Sequence, residues 1–464
     1  MLLGSIILYL LITIGVGYWA SLRVKTSGDF ILAGRSLPFL LSSSALFATW
    51  FGSETVFGAS SEFLKGGLYA VIEDPFGAAL CLILFGLLFA RKLYNMNLLT
   101  LGDFFEFRYG KRVGLVASVL MAPPYVGYIA AQLVAMSIVL NVVTGIDLWT
   151  GVVISSFVVT FYTFVGGMWA ISITDFVQSI IIIAGLFVVA YIMSEKAGGV
   201  AVVFSEVPKE NFQFLPRFES REIISYIAAW SVLGLGSLPS QDVFQRAMSS
   251  GSAQIAVRSC YFAALLYLTV AMLPLFISLC AKHIYGDQLN VSEQLTLPLM
   301  VMEHTNIIIQ VLFFGSLLSA IMSTTSSAIL APASILAENI IKPLSGKEFS
   351  DKQLLRITRM GVLLFSAVAT VMASFRTNIY HLVGESSILS LVTLFAPLTF
   401  GLYWKKTSRT GAILSMILGL GSWFLFNTLR ITDIPSLIPA TLISMSSLII
   451  GSLLFRKSRL QYFY

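Results

Sequence analysis

Residues 48–55 have the sequence ATWFGSET, and residues 234–242 have the sequence GLGSLPSQD. Each stretch interrupts a segment that is otherwise apolar and long enough to be a membrane-spanning helix. The first combines glycine and small polar residues with a carboxylate, and the second contains Pro239, which has no backbone N–H to donate. We therefore expect two broken helices. Inside a bilayer, irregular backbone is tolerated only where it is buried in protein or lines a polar cavity.

The composition places the chain in a lipid bilayer. Of its 464 residues, 57% are hydrophobic and 11% are charged, and the mean hydropathy is +0.87. Soluble domains have about 25% charged residues, so a soluble enzyme and a disordered chain are both excluded. A membrane-embedded enzyme is not expected either, because His283, His304 and His381 lie apart and form no metal-binding or nucleophile–base motif.

Apolar runs of about 20 residues predict about thirteen membrane-spanning helices. Their approximate ranges are 2–22, 37–63, 70–90, 113–143, 148–166, 170–194, 222–244, 259–281, 307–337, 360–375, 380–404, 410–428 and 435–455. Assigning the loops alternately to two faces puts 21 of the 29 Lys and Arg residues on one face, Arg108 and Arg246 among them. Basic residues collect on the cytoplasmic side, so the N-terminus is predicted outside and the C-terminus inside.

This asymmetry accounts for the net charge of +6 without a nucleic-acid partner. We expect a multi-pass protein of the cell (inner) membrane whose partners are the lipid bilayer and a small-molecule solute. The sequence indicates no obligatory protein partner.

The two broken segments are the second and the seventh predicted spans, five spans apart. This spacing is typical of two inverted repeats of five helices, each beginning with a broken helix. The predicted organisation is one extra helix and an inner loop at 1–36, repeats at 37–221 and 222–404, and two further helices with an inner tail at 405–464. Ordinary Gly and Pro kinks are the alternative explanation of the breaks.

The ninth predicted span carries an unusual number of hydroxyl groups. They belong to Ser316, Ser319, Ser323, Thr324, Thr325, Ser326 and Ser327. Helical spacing puts Ala320, Ser323, Thr324 and Ser327 on one face. Sodium is a hard cation that prefers oxygen ligands, so this face is a candidate ion site. Hydrogen bonds between helices or to the helix's own backbone would also explain the hydroxyl groups.

Three carboxylates within the predicted spans are candidate functional residues, because an ionisable side chain inside a membrane is costly. Asp175 is near the start of the sixth span, and Glu54 and Asp242 lie at the two breaks. Glu54 and Asp242 are placed to face a shared cavity and select a cationic group. Capping of helix N-termini is the alternative role for all three.

On these residues the chain resembles the sodium:solute symporter family. The resemblance rests on residues 48–58, on GGMWAISITDFVQ at 166–178, on FQR at 244–246 and on AIMST at 320–324. It implies an all-α polytopic fold similar to the leucine transporter, with inverted repeats of five helices, one helix before them and two after. It also implies sodium as the coupling ion.

The resemblance implies a principal sodium site at Ala48, Phe51, Ala320, Ser323 and Thr324. Some members of the family have a second sodium, and the matching pattern here is Asp175, Ser323, Ser326 and Ser327. One sodium ion per cycle and two sodium ions both remain open at this point.

For the solute, residues 48–52, 109–112 and 243–246 are most similar to the choline-transporter branch. Trp50 offers a ring face to a cation, but Ser240 stands where that branch has a second tryptophan. The candidate solute residues are Trp50, Glu54, Thr55, Tyr125, Tyr128, Ser240, Gln241 and Asp242.

The expected function is sodium-coupled import of a small polar organic solute by alternating access. The solute is predicted to be a quaternary amine such as choline or a zwitterion such as proline. The alternatives are a symporter of the same family for a sugar acid or a vitamin carboxylate, and a solute sensor or channel without coupling.

Overall fold

The computed structural model describes residues 2–24, 26–286, 293–429 and 433–455. Within these ranges the protein is helical, apart from one bridge between Leu37 and Ser250. The helices are α1 (Leu2–Ser21), α2 (Ser27–Leu32), α3 (Phe39–Phe47), α4 (Ser60–Ala70), α5 (Ile72–Asn95), α6 (Leu101–Tyr109), α7 (Lys111–Thr144), α8 (Leu148–Phe164), α9 (Gly167–Lys196), α10 (Val200–Glu206), α11 (Ser220–Gly236), α12 (Gln241–Met248), α13 (Ala253–Tyr285), α14 (Thr296–His304), α15 (Ile307–Ser345), α16 (Asp351–Phe375), α17 (Ile379–Tyr403), α18 (Arg409–Leu429) and α19 (Leu437–Leu454). Short 3-10 turns occupy Ala33–Arg35, Lys209–Phe212 and Glu293–Leu295.

Nine of the described helices are long and apolar enough to cross a membrane: α5, α7, α9, α13 and α15 to α19. The bent pair α11 and α12 makes a tenth if it counts as one span. Helices lie at all thirteen predicted positions, although α8 is short and the segment that contains α3 and α4 is broken. The all-helical membrane fold is therefore confirmed, while thirteen crossings and the orientation of the termini stay predictions.

Both expected breaks are present. In the first, α3 ends at Phe47, and the helix resumes as a wide π turn at Glu54–Ala59 that leads into α4. In the second, α11 ends at Gly236 and α12 begins at Gln241, with a bend of 49° between them. Pro239 lies in that gap. Its backbone has no N–H, and outside a helix no helical hydrogen bond is lost by this.

The centre of the molecule is α15. Its residues from Phe313 to Ile335 are all buried, and it packs against α7, α8, α9 and α16. A further break separates α8 from α9 at Gly167, which has φ 67°. A side chain there would be strained and would also meet Phe30, whose Cδ2 lies 2.6 Å from the position of a Cβ. The hydroxyl-rich face of α15 is thus enclosed by protein and turned away from lipid.

The structure corrects the sequence analysis at two basic residues. Arg108 and Arg246 are counted there among the loop charges of the inner face, but they are 2% and 0% exposed. Arg108 Nε donates to the Gly401 carbonyl at 2.9 Å, and its Nη2 donates to Thr407 Oγ1 at 2.6 Å. Counting along the chain cannot detect such burial, because it depends on acceptors that other helices provide.

Candidate functional site

A cavity of about 40 Å³ lies between the two breaks. Its wall comes from α7, from the gap between α11 and α12, from α17 and from the first break. The lining residues are Trp50, Met121, Pro124, Tyr125, Tyr128, Gly236, Ser237, Pro239, Ser240, Asp242, Val383, Ser386, Ser387 and Ser390. The cavity is therefore mostly aromatic and hydroxylic, and Asp242 is the carboxylate among the described residues that line it.

Two tyrosines of α7 connect the breaks through this cavity. Tyr125 donates its hydroxyl hydrogen to Asp242 Oδ1 at 2.8 Å and accepts a hydrogen bond from the Asp242 backbone N–H at 3.0 Å. One turn further along α7, the Tyr128 hydroxyl donates to the Thr49 carbonyl at 2.5 Å. The carbonyl freed by the first break and the carboxylate at the second break are thus both held by α7, which fixes their relative positions.

Five of the eight predicted solute residues line the cavity, namely Trp50, Tyr125, Tyr128, Ser240 and Asp242. The other three are not among its lining residues. Gln241 Oε1 accepts a hydrogen bond from the Leu101 backbone N–H at 2.7 Å. Thr55 Oγ1 donates to Asp74 Oδ2 at 3.0 Å and is 2.5 Å from the Tyr267 hydroxyl oxygen. Glu54 is 1% exposed, and its carboxylate has no hydrogen-bond partner among the described residues.

The sequence analysis missed the serines of α17 and the carboxylate of Asp74. Ser386, Ser387 and Ser390 bring hydroxyl groups to one wall of the cavity, and their spacing within an apolar span is the signal that marks them. Asp74 is 1% exposed and also accepts a hydrogen bond from Tyr267 at 2.6 Å. Its position beside Pro75 is typical of a helix start, so nothing in the local sequence indicates burial.

Three of the five residues predicted for the principal sodium site, Ala48, Ala320 and Thr324, lie together where α15 passes the first break. Thr324 Oγ1 is 2.7 Å from the Ala48 carbonyl oxygen and 3.0 Å from the Ala320 carbonyl oxygen. Phe51 lies three residues beyond Ala48 in the same unwound segment, and all of these side chains are buried. Carbonyl and hydroxyl oxygens of this kind suit a hard monovalent cation.

Two residues of the predicted second sodium set, Asp175 and Ser327, contact Arg246. Both side chains of the Asp175–Arg246 ion pair are 0% exposed, and Arg246 Nη2 lies 3.3 Å from Asp175 Oδ2. The same nitrogen donates to Ser327 Oγ at 2.7 Å, and Ser323 Oγ donates to Asp175 Oδ1 at 2.5 Å. Ser326 is separate, because its hydroxyl oxygen accepts a hydrogen bond from Thr163 at 2.9 Å. A guanidinium group thus supplies the cation next to Asp175.

Two broken helices that meet at a buried polar cavity define the class of secondary transporters. The chain belongs to the sodium:solute symporter family, whose model matches residues 30–419. This confirms the resemblance seen in the sequence.

Similar proteins include transporters from animals and bacteria. High affinity choline transporter 1 of Homo sapiens is 31% identical over 443 residues, which are 90% of this chain and 75% of that protein. The high-affinity proline transporter of Bacillus subtilis (strain 168) is 28% identical over 462 residues, 95% of each chain. Among solved structures, the substrate-bound outward-open state of a Na+-coupled sialic acid symporter has a TM-score of 0.88 at 18% identity, covering 100% of this chain and 99% of the other. At that identity the similarity shows the fold.

Proposed function

We propose that this protein is a sodium-coupled symporter that imports a small quaternary amine such as choline, or a zwitterion such as proline. This choice of solute depends on one observation. Asp242 lines the same cavity as the aromatic rings of Trp50, Tyr125 and Tyr128. A carboxylate among aromatic rings favours an alkylated ammonium group, which gains from both the charge and the ring faces.

The same cavity disfavours the alternative solutes. The carboxylate of a sugar acid or a vitamin would lie beside Asp242, and no Lys or Arg is among the described residues that line the cavity. Arg246 is near in sequence, but it is not among the residues that line the cavity, and its Nη2 is bonded to Asp175 and Ser327. Import of an anion would therefore need a counter-charge from elsewhere.

The size of the cavity fits a mechanism of alternating access. A volume of 40 Å³ is room for about three water molecules, so an organic solute requires the walls to move apart. Both breaks contribute to those walls, and in transporters with inverted repeats one repeat moves against the other around such a site. A solute or an ion that binds one arrangement more tightly than the other shifts the population toward it.

Sodium drives the cycle from a site at Ala48, Phe51, Ala320, Ser323 and Thr324. Each sodium ion that enters at a potential of about −100 mV gains roughly 2.3 kcal/mol from the potential alone, to which its concentration gradient adds. We propose one sodium ion per cycle, because Arg246 already balances the charge of Asp175 in the second set. A sigmoidal sodium dependence of uptake would overturn this stoichiometry.

We also propose the finer topology. The chain crosses the cell (inner) membrane thirteen times with its N-terminus outside, and residues 37–221 and 222–404 form two inverted repeats between an extra helix at 1–36 and two helices within 405–464. The positions of the breaks, each near the start of a proposed repeat, support this arrangement.

The experiment is uptake of labelled choline into proteoliposomes under an inward sodium gradient. Unlabelled choline, betaine, proline, pantothenate and sialic acid serve as competitors, and potassium replaces sodium in the control. We expect sodium-dependent accumulation that choline abolishes and sialic acid does not. Accumulation of another solute with no uptake of choline would keep the symporter and reject the quaternary amine.

Two variants test the role of Trp50. Trp50→Ala is expected to weaken choline binding about 2- to 30-fold, which corresponds to the ~0.5–2 kcal/mol of a cation–π contact, and Trp50→Phe is expected to retain part of that binding. Trp230→Ala is the matched control, because Trp230 packs against Phe76 and Phe214 and does not line the cavity. Equal effects at the two positions would contradict a ring contact with the solute.

A further inference from the structure

A second cavity, of about 320 Å³, lies between the end of α8 and the first half of α16. Its lining residues are Phe164, Lys352, Leu355, Arg356, Arg359 and Met360. None of the solute or sodium candidates belongs to it, so it is separate from the transport site.

The basic side chains of this cavity form one cluster. Lys352, Arg356 and Arg359 follow the i, i+4, i+7 spacing and therefore share a face of α16. The guanidinium carbon of Arg359 lies 4.9 Å from the centre of the Phe164 ring. Arg359 Nε is buried and has no hydrogen-bond partner among the described residues. None of the ion pairs between described residues includes a member of this cluster.

An apolar surface continues from the cluster along both helices. On α8, Phe161 is 60% exposed and lies one turn before Phe164; on α16, Met360 is 60% exposed and Leu364 follows one turn later. In a chain that spans a bilayer, such exposed side chains face acyl chains. Three cations that form no ion pair with a described residue therefore lie at the end of a lipid-facing stripe, as is typical of sites for anionic lipid headgroups between helices.

We propose that Lys352, Arg356 and Arg359 bind the phosphate of an anionic phospholipid whose acyl chain lies along Phe161 and Met360. The planar guanidinium of an arginine matches two phosphate oxygens, and a phosphate would supply the acceptor that Arg359 Nε lacks. A free phosphate offers the same oxygens without the acyl chain, so the apolar stripe is what favours the lipid.

The test is native mass spectrometry of the purified protein with added phosphatidylglycerol or phosphatidylcholine. Wild-type protein is expected to bind phosphatidylglycerol more tightly than phosphatidylcholine. The variant Arg356→Gln with Arg359→Gln is expected to bind phosphatidylglycerol about 30-fold more weakly, since each basic residue near an anionic lipid surface contributes ~1 kcal/mol. Binding of phosphatidylcholine is expected to stay the same.

The matched control is Arg91→Gln with Arg112→Gln, two exposed arginines outside the cavity, which is expected to leave phosphatidylglycerol binding unchanged. Arg356→Lys with Arg359→Lys keeps both charges and is expected to retain most of the binding, which separates a lost contact from a lost fold. Equal binding by the wild type and the glutamine variant would overturn the proposal. Displacement of phosphatidylglycerol by excess inorganic phosphate would overturn the lipid as the source of the phosphate.

Discussion

Replacing Asp175 with Asn removes the negative charge of an ion pair whose two side chains are fully buried. The guanidinium of Arg246 then stays in the interior without the carboxylate that pairs with it. At the observed 3.3 Å, and with an effective dielectric constant of about 20, the two charges attract each other by about 5 kcal/mol. Breaking one side of a buried pair costs about 3–5 kcal/mol, and we expect that loss in the free energy of unfolding of Asp175→Asn.

A double-mutant cycle tests this reasoning. Arg246→Met alone leaves the Asp175 carboxylate buried without its cation, so it is expected to be about as destabilising as Asp175→Asn. The double variant leaves neither charge unpaired and is expected to be more stable than the sum of the single effects predicts, by about 2 kcal/mol or more. The assay is equilibrium unfolding in mixed micelles with an increasing fraction of sodium dodecyl sulfate, followed by circular dichroism.

The exposed pair Arg376–Glu385 is the matched control, with side chains that are 51% and 43% exposed. The same cycle there is expected to give a coupling of at most about 1 kcal/mol, because water screens an exposed pair. Additive effects of Asp175→Asn and Arg246→Met, within about 0.5 kcal/mol, would refute the interpretation of the buried pair.

Three further variants have expected outcomes. Thr324→Val should weaken the apparent affinity for sodium about tenfold in a sodium titration of uptake, because a lost ligand costs ~1–2 kcal/mol. An unchanged titration would show that Thr324 is not part of the proposed ion site. Tyr125→Phe leaves Asp242 without its hydroxyl donor and should lower solute affinity about fivefold in equilibrium binding, with no change in the sodium titration. Gly419→Ala places a Cβ 1.9 Å from the Val392 carbonyl oxygen and should lower the melting temperature of the protein. Gly421→Ala is the control, because a Cβ there has no other atom within 4 Å and should leave the melting temperature unchanged. Equal melting temperatures of the two variants would contradict the clash.

The parts of the fold that depend on local sequence were predictable. Runs of apolar residues give the positions of the helices, and the glycines and Pro239 give the breaks. Helical spacing also put Ala320, Ser323 and Thr324 on one face, and the structure has that face buried. These features can be predicted from the sequence and the geometry of a single helix.

Contacts between distant segments were not predictable in the same way. Nothing near Arg246 in the sequence indicates that Asp175 is its partner, since the two residues are 71 positions apart. Tyr267 and Asp74 are 193 positions apart and likewise meet only through packing. Which side of a helix faces inward, and which neighbour it meets, is set by the arrangement of all the helices together. Gln241 is an example of a contact that the sequence does not predict. It lies at a break, but its side chain bonds the backbone of α6 and does not line the cavity.

The hydrogen bond from Thr324 to the Ala48 carbonyl has a consequence for how fast the transporter can work. It sets the spacing between α15 and the first break before any ion arrives, at 2.7 Å between the two oxygens. At the proposed sodium site, an ion that enters needs only a rotation of one hydroxyl group, so the surrounding backbone would lose little further freedom. Side-chain rotations take picoseconds to nanoseconds, far less than the microseconds or longer of helix movements. We therefore expect sodium capture at the proposed site to be fast compared with the helix movements of the transport cycle.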